Sequence, residues 1–124
     1  MKQEISERRE NSRYLVDDNA VAVMGPLREG LGHVIELSMS GFSFRYEEDE
    51  VVPEEMDANI TLFGFETVNL GTVHISTVTD QPVTDENGDI QSRRCGVRFG
   101  GLTAEQKKLL SNFIYNNAYI EIPD

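Results

Sequence analysis

The chain has 124 residues, which is enough for one domain with a core of its own. Its 22 acidic residues outnumber 11 lysines and arginines, and the net charge of −11 argues against a nucleic-acid polymer as partner, because such binding needs a broad basic face. No apolar run approaches the about 20 residues of a membrane span, and the N-terminus lacks the apolar core of a signal peptide. We therefore expect a cytoplasmic protein without membrane insertion.

The first segment predicts a flexible arm that bears arginines. Residues 1–12 carry alternating charges and show neither helical nor strand periodicity. Arg9 and Arg13 are spaced R-x-x-x-R, and Arg8 directly precedes them. Guanidinium groups are fork-shaped donors that suit guanine edges and phosphate oxygens. We therefore divide the chain into an arm at 1–13 and a folded domain at 14–124.

Three strands are predicted after the arm, and the first of them is bent. The strands cover 14–24 with an interruption near 17–19, 33–37 and 42–46. A tight turn joins the last two. Around this turn Glu36, Ser38 and Gly41 form the pattern E-x-S-x-x-G. It offers a carboxylate, a hydroxyl and a backbone open to close approach, which suit guanine N–H groups.

The second half of the chain predicts three more strands and one helix. An acidic run at 47–57 is typical of a solvated loop, and Asn87-Gly88 is a hairpin turn signal between the last two strands. Thr103 and Gln106 fit a capping box at the start of an amphipathic helix. The three strands are predicted at 60–63, 68–78 and 93–99, and the helix at about 104–116. Six short strands and a helix predict a mainly β protein, a small antiparallel barrel capped by the helix.

Catalytic and metal chemistry find little support in the sequence. Residues 85–89 begin like a calcium loop, but Ile90 and Gly96 stand where that loop needs Gly and Glu. His33 and His74 have no metal-ligating neighbour at helical spacing. No G-x-S-x-G nucleophile motif is present. We therefore expect a protein that is not an enzyme and has no metal or cofactor.

The order of the two motifs and the end of the chain resemble the PilZ domain, the bacterial cyclic di-GMP receptor module. The arginine pair precedes the first strand, and the E-x-S-x-x-G pattern straddles the second strand and its turn. Residues 95–103, with the sequence CGVRFGGLT, resemble the family's final G-V-x-F strand, turn and helix. The resemblance spans residues 8–116. It implies a six-stranded antiparallel, Greek-key-like β-barrel with a C-terminal α-helix.

The resemblance also implies the ligand and the residues that bind it. Arg9 and Arg13 match the two family arginines that clamp guanine Hoogsteen edges and phosphates of cyclic di-GMP. Ser38 and Gly41 match the Ser and Gly of the family's D/N-x-S-x-x-G element. By this resemblance all four residues belong to the ligand site.

Glu36 and Arg8 complete the implied site and raise two questions. The family has Asp or Asn where this chain has Glu36. The longer side chain either accepts from guanine N–H groups or folds back onto Arg9 or Arg13. Arg8 stands where family members that hold two intercalated cyclic di-GMP molecules have an arginine.

The function implied by the resemblance is that of a cyclic di-GMP receptor or adaptor. Its arm would become ordered on binding and expose a surface to an unidentified partner protein. The alternative is a degenerate PilZ adaptor that binds no nucleotide and works through protein contacts. Glu36 favours that alternative, and the intact pair Arg9 and Arg13 opposes it. A barrel of unrelated function is the third interpretation.

Overall fold

The structure, a computed structural model, describes residues 12–16, 19–25, 31–47 and 52–122. These residues form eight strands and one helix. The strands are β1 (Arg13–Val16), β2 (Val21–Gly25), β3 (Leu31–Ser38), β4 (Gly41–Glu47), β5 (Glu55–Phe63), β6 (Thr67–Thr84), β7 (Ile90–Phe99) and β8 (Ala118–Ile122), and the helix is α1 (Ala104–Asn117). Within this part of the chain, no helix is long and apolar enough to cross a membrane.

Six of the strands close into an antiparallel barrel. Their order around the ring is β2-β5-β6-β7-β4-β3, and β3 pairs back onto β2. The link from β4 to β5 joins strands that are not neighbours, as in a Greek key. The predicted six-stranded, Greek-key-like barrel with a C-terminal helix is therefore confirmed.

The first predicted strand is bent, and its two halves are β1 and β2. Both lie along β3: Val21 of β2 pairs with His33, and Arg13 of β1 pairs with Ser38 at the other end of β3. Arg13 is the first residue of β1, one position before the predicted start of the folded domain. The predicted flexibility of residues 1–11 lies outside the described residues.

Alternation along the strands separates an aromatic core from a polar outer wall. Phe42, Phe44 and Tyr46 point inward from β4, and their successive ring centroids lie 5.2 and 5.7 Å apart. Cys95 of β7 joins this core, and burial raises the pKa of its thiol to about 11. The thiol is therefore a protonated core group. Residues between these positions, such as Ser43, face outward.

The helix is attached to the barrel by its own capping residues. Thr103 Oγ1 accepts from the Gln106 backbone N–H at 3.1 Å, and Gln106 Oε1 accepts from the Thr103 N–H at 2.9 Å. The Gln106 amide nitrogen also donates to the carbonyl oxygens of Leu70 and Thr72 in β6. The predicted capping box therefore starts the helix and fixes it to the sheet.

The acidic run differs from its prediction, because part of it belongs to a strand. β5 begins at Glu55 rather than at residue 60. Glu55 and Asp57 are exposed, whereas Ala58 is fully buried. His74 on β6 lies between the two carboxylates, 2.9 Å from Asp57 Oδ1 and 3.3 Å from Glu55 Oε1. Charged residues on the outer face are compatible with a strand when the inner face is apolar.

The hairpin between β6 and β7 is longer than predicted, and its turn is shorter. β6 continues to Thr84 and includes Pro82, which lies opposite Arg93. Asp85 Oδ1 accepts from the backbone N–H groups of residues 87 and 89, both at 2.9 Å. Gly88 has φ +87°, a value that favours glycine. The predicted hairpin turn thus lies at 85–89.

The sequence analysis missed β8. This strand directly follows α1 and pairs antiparallel with β1, so that Arg13 lies opposite Ile122. No turn residue separates it from the helix, and three of its five residues are exposed. Its pairing places β1 between β3 and β8, which supports the backbone of Arg13 on both sides.

Candidate functional site

The outer wall of the barrel carries a cleft where several strands contribute outward-facing side chains. Its volume is about 270 Å³, and it extends over β1, β3, β4, β6 and β7. Four of the six predicted site residues line it, together with two arginines of β7. The residues are Arg13, Glu36, Ser38, Gly41, Arg94 and Arg98.

Glu36 joins two arginines from opposite sides of the cleft. Arg13 Nη1 donates to Glu36 Oε1 at 3.1 Å, and Arg94 Nη2 donates to Glu36 Oε2 at 2.8 Å. The Glu36 side chain is only 18% exposed, whereas that of Arg94 is 45% exposed. Of the two orientations expected for Glu36, the structure shows the one in which it folds back onto Arg13.

Two buried polar atoms at the cleft lack hydrogen-bond partners. They are Arg13 Nε and Ser43 Oγ, and within the described part of the chain no other buried side-chain nitrogen or oxygen is in this position. Both residues line the cleft. Leaving a buried donor without a partner costs on the order of 1–3 kcal/mol. The cleft therefore contains a nitrogen donor and a hydroxyl that can each form a new hydrogen bond.

Ser38 organises the turn between β3 and β4. Its side chain is buried, and its Oγ accepts from the Ser40 backbone N–H at 3.1 Å and lies 3.3 Å from the Gly41 carbonyl oxygen, to which it donates. The Ser40 carbonyl in turn accepts from the Phe99 N–H at 2.8 Å, which ties the turn to β7. The serine of the motif thus has a structural role in the turn.

Gly41 is explained by the neighbouring strand. A Cβ at this position would lie 2.1 Å from the Val97 carbonyl oxygen and 3.1 Å from the Arg98 Cα. These are backbone atoms of β7, and they cannot yield without moving the strand. The close backbone approach predicted for Gly41 is therefore made by β7.

The sequence analysis did not assign Arg94 and Arg98 to the site. Both are exposed and alternate with the buried Cys95 and Val97, which places them on the outer face of β7 with Gly96 between them. This alternation, combined with the pairing of β7 with β4, is the signal that could have identified them.

The arginines of β7 differ in their partners. Arg93 faces away from the cleft, and its Nε donates to Asp80 Oδ1 at 3.0 Å. Arg98 has no hydrogen bond or ion pair with any residue in the described ranges. Arg98 is therefore a cleft cation without a counter-ion in this part of the chain.

The remaining predictions concern Arg8, Arg9 and metal ions. Arg8 and Arg9 lie outside the described residues, so that the first half of the R-x-x-x-R motif has no place in the geometry above. In the described ranges, no three His, Cys, Asp or Glu side chains are arranged to hold a metal ion.

Comparison of the sequence with known proteins gives no match. No protein-family model matches the chain, and no curated protein matches it in sequence.

Solved structures, in contrast, are similar over most of the chain. The PilZ domain of YcgR from Escherichia coli, described as a structure with c-di-GMP, has a TM-score of 0.63 and 15% identity over 88% of this chain and 90% of its own. The MrkH–c-di-GMP complex from K. pneumonia has a TM-score of 0.64 and 12% identity over 88% of this chain. MrkH in its apo state has a TM-score of 0.59 and 13% identity over 84%.

These likenesses concern the fold, because the identities are low. The chain spans 52% and 47% of the two MrkH chains, about half their length. The strand order, the bent first strand and the C-terminal helix agree with the resemblance drawn from the sequence motifs. By its fold, the chain is a PilZ-like domain.

Proposed function

We propose that this protein is a receptor for cyclic di-GMP that signals to a partner protein. The observation that carries the proposal is the cleft on the outer wall of a PilZ-like barrel. There, Arg13 of the R-x-x-x-R motif meets Ser38 and Gly41 of the E-x-S-x-x-G motif. Structures with the same fold are described as containing c-di-GMP.

The electrostatics of the cleft support an anionic ligand. Arg13, Arg94 and Arg98 face a single carboxylate, that of Glu36, in a chain whose net charge is −11. A local excess of cations on an acidic protein favours a small anion over a polyanion. Cyclic di-GMP has two phosphates, and its guanine edges accept hydrogen bonds from guanidinium groups.

The proposed site includes residues of the arm. Arg8, Arg9 and Arg13 would contact guanine edges and phosphates, while Ser38, Gly41 and Glu36 form the wall against which the ligand lies. Arg8 provides the extra cation that a second, stacked ligand would need, because stacked dinucleotides bring four phosphates together. Ordering of the arm on binding would change the surface that a partner protein contacts. The role is recognition, without catalysis.

A degenerate adaptor without nucleotide binding is the second candidate. The observation in its favour is the pairing of Glu36 with Arg13, since an arginine held by an internal carboxylate is less available to a ligand. Calorimetric titration with cyclic di-GMP separates the two candidates. Heat of binding supports the receptor, and a flat titration of the folded protein supports the adaptor.

The receptor proposal predicts that Arg9→Ala and Arg13→Ala each weaken cyclic di-GMP binding by about tenfold to a hundredfold, measured by calorimetry. Hydrogen bonds to charged groups contribute about 1.5–3 kcal/mol, which corresponds to that range. Arg45→Ala is the control, because Arg45 is an exposed arginine of β4 that does not line the cleft. Unchanged affinity in both motif variants would refute the assignment of the arginines.

A further inference from the structure

We propose that Glu36 is an internal counter-ion that competes with the ligand for Arg13 and Arg94, and that Arg94 and Arg98 bind the ligand's phosphates. Neither arginine of β7 belongs to the two sequence motifs. The inference rests on the proposed function for the identity of the ligand. It adds two binding residues and a means by which the protein sets its own affinity.

The geometry of Glu36 carries the first step. Its two carboxylate oxygens each accept from a different guanidinium group, at 3.1 Å from Arg13 and 2.8 Å from Arg94. A carboxylate bound in this way has the same chemistry as a phosphate with two arginine donors. A phosphate in the cleft would offer these arginines the same kind of contact, so the ligand and Glu36 compete for the same donors.

The arrangement of β7 carries the second step. Arg94 and Arg98 lie on one face of this strand, and Gly96 between them has no side chain to separate them from the cleft floor. A Cβ at Gly96 would lie 2.8 Å from Thr79 Oγ1. Arg98 has no ion pair in the described part of the chain, so it can contact an anion without breaking an existing contact.

The burial of Glu36 determines the sign of the effect. Because the side chain is mostly buried, its charge depends on Arg13 and Arg94 for compensation. A ligand phosphate that takes either arginine leaves Glu36 less well paired and brings a second negative charge close to it. Both effects oppose binding. Replacing Glu36 by the isosteric Gln removes the charge and keeps the shape.

The first test is calorimetric titration of the full chain with cyclic di-GMP. We expect Glu36→Gln to tighten binding by about threefold to tenfold, the range of one partly exposed ion pair. Arg94→Ala and Arg98→Ala should each weaken binding by about tenfold. Arg45→Ala should stay within about twofold, because its side chain lies outside the cleft although Arg45 pairs with Arg94 in the strand register.

The outcomes of this titration either support or overturn the proposal. Weaker binding in Glu36→Gln would show that the carboxylate contacts the guanine base, which overturns the counter-ion role. Unchanged affinity in Arg94→Ala and Arg98→Ala would remove both residues from the site. Equal losses in Arg45→Ala and Arg94→Ala would mean that general charge, rather than the cleft, determines binding.

A second probe, inorganic pyrophosphate, separates this inference from the proposed function. It carries phosphate charge without a guanine, so its binding depends on the arginines alone. We expect it to raise the Tm of Glu36→Gln more than that of the unmodified protein, and to lose its effect in Arg94→Ala/Arg98→Ala. If cyclic di-GMP does not bind but pyrophosphate behaves in this way, the proposed function fails and the anion site remains. No pyrophosphate effect on either protein overturns the anion site.

Discussion

Ser38 and Gly41, two motif residues, are each held in place by structural contacts. Ser38 Oγ accepts from the Ser40 N–H in the β3–β4 turn, and Gly41 provides the space that the Val97 carbonyl of β7 occupies. Substitutions at either position therefore disturb the barrel as well as any ligand contact. The arginines of the cleft are better probes of function, because their side chains extend from the surface and contribute little to the core.

His74 provides a prediction at the level of a single side chain. Its hydrogen bond with Asp57 is the main cause of a pKa raised above its ordinary value of 6.5, and Glu55 adds to the effect. A raised pKa stabilises the folded protein below the unfolded pKa, and this contribution is lost as pH rises through the folded pKa. We expect NMR titration to give a pKa for His74 above 6.5 that falls in Asp57→Asn.

The matched control for this titration is Glu66→Gln, which removes a carboxylate at the opposite end of the β5–β6 hairpin. It should leave the His74 pKa unchanged. Between about pH 6 and pH 9, the Tm of the unmodified protein should fall more than that of His74→Gln. An equal fall in both proteins would contradict a role of this cluster in stability.

At the level of elements, the helix and the β5–β6 hairpin stabilise each other at both ends of α1. Gln106 connects the first turn of the helix to the carbonyl groups of β6. At the other end, Asn117 Oδ1 accepts from the Phe65 N–H at 2.6 Å, and its Nδ2 donates to the Phe113 carbonyl at 2.8 Å. A buried asparagine thus holds the hairpin turn against the last turn of the helix.

Asn117→Ala should destabilise the protein by about 1–3 kcal/mol, because it leaves the Phe65 N–H without its partner in a partly buried position. Urea unfolding measures this change directly. Asn116→Ala is the control: the adjacent side chain is exposed and donates to Glu66 on the surface, so its loss should cost less than about 0.5 kcal/mol. Equal losses in the two variants would refute the special role of Asn117.

At the level of the whole molecule, two electrostatic effects oppose each other. The net charge of −11 repels an anionic ligand, whereas Arg13, Arg94 and Arg98 attract it locally. Charges beyond about 10 Å are screened at 0.1 M salt, so the distant acidic residues lose their influence first. The arginines contact the ligand directly and should therefore dominate.

We expect the affinity for cyclic di-GMP to fall between about 0.1 and 0.5 M salt, measured by calorimetry, because salt screens the half-exposed arginines as well. Arg98→Ala should show a shallower dependence, since one ligand contact is missing. An affinity that rises with salt would mean that repulsion by the whole molecule outweighs the cleft, contrary to the proposed balance.

The fold was largely predictable from the sequence, because its signals are local. Alternation of Phe42, Phe44 and Tyr46 defined β4, and the capping box of Thr103 and Gln106 defined the start of α1. Such patterns need only neighbours along the chain. The same local reasoning failed for the acidic start of β5 and for β8, whose strand character comes from pairing with β6 and β1.

The sequence by itself determined the barrel, the helix and the order of the two motifs. Only the tertiary structure decided which charges meet at the cleft. Glu36 and Arg94 are 58 positions apart, and their contact depends on β3 and β7 both flanking β4 with the observed register. Register across a sheet is set by packing of the whole core, and a shift of one residue would turn Arg94 and Arg98 inward. The composition of the site is therefore a property of the closed barrel.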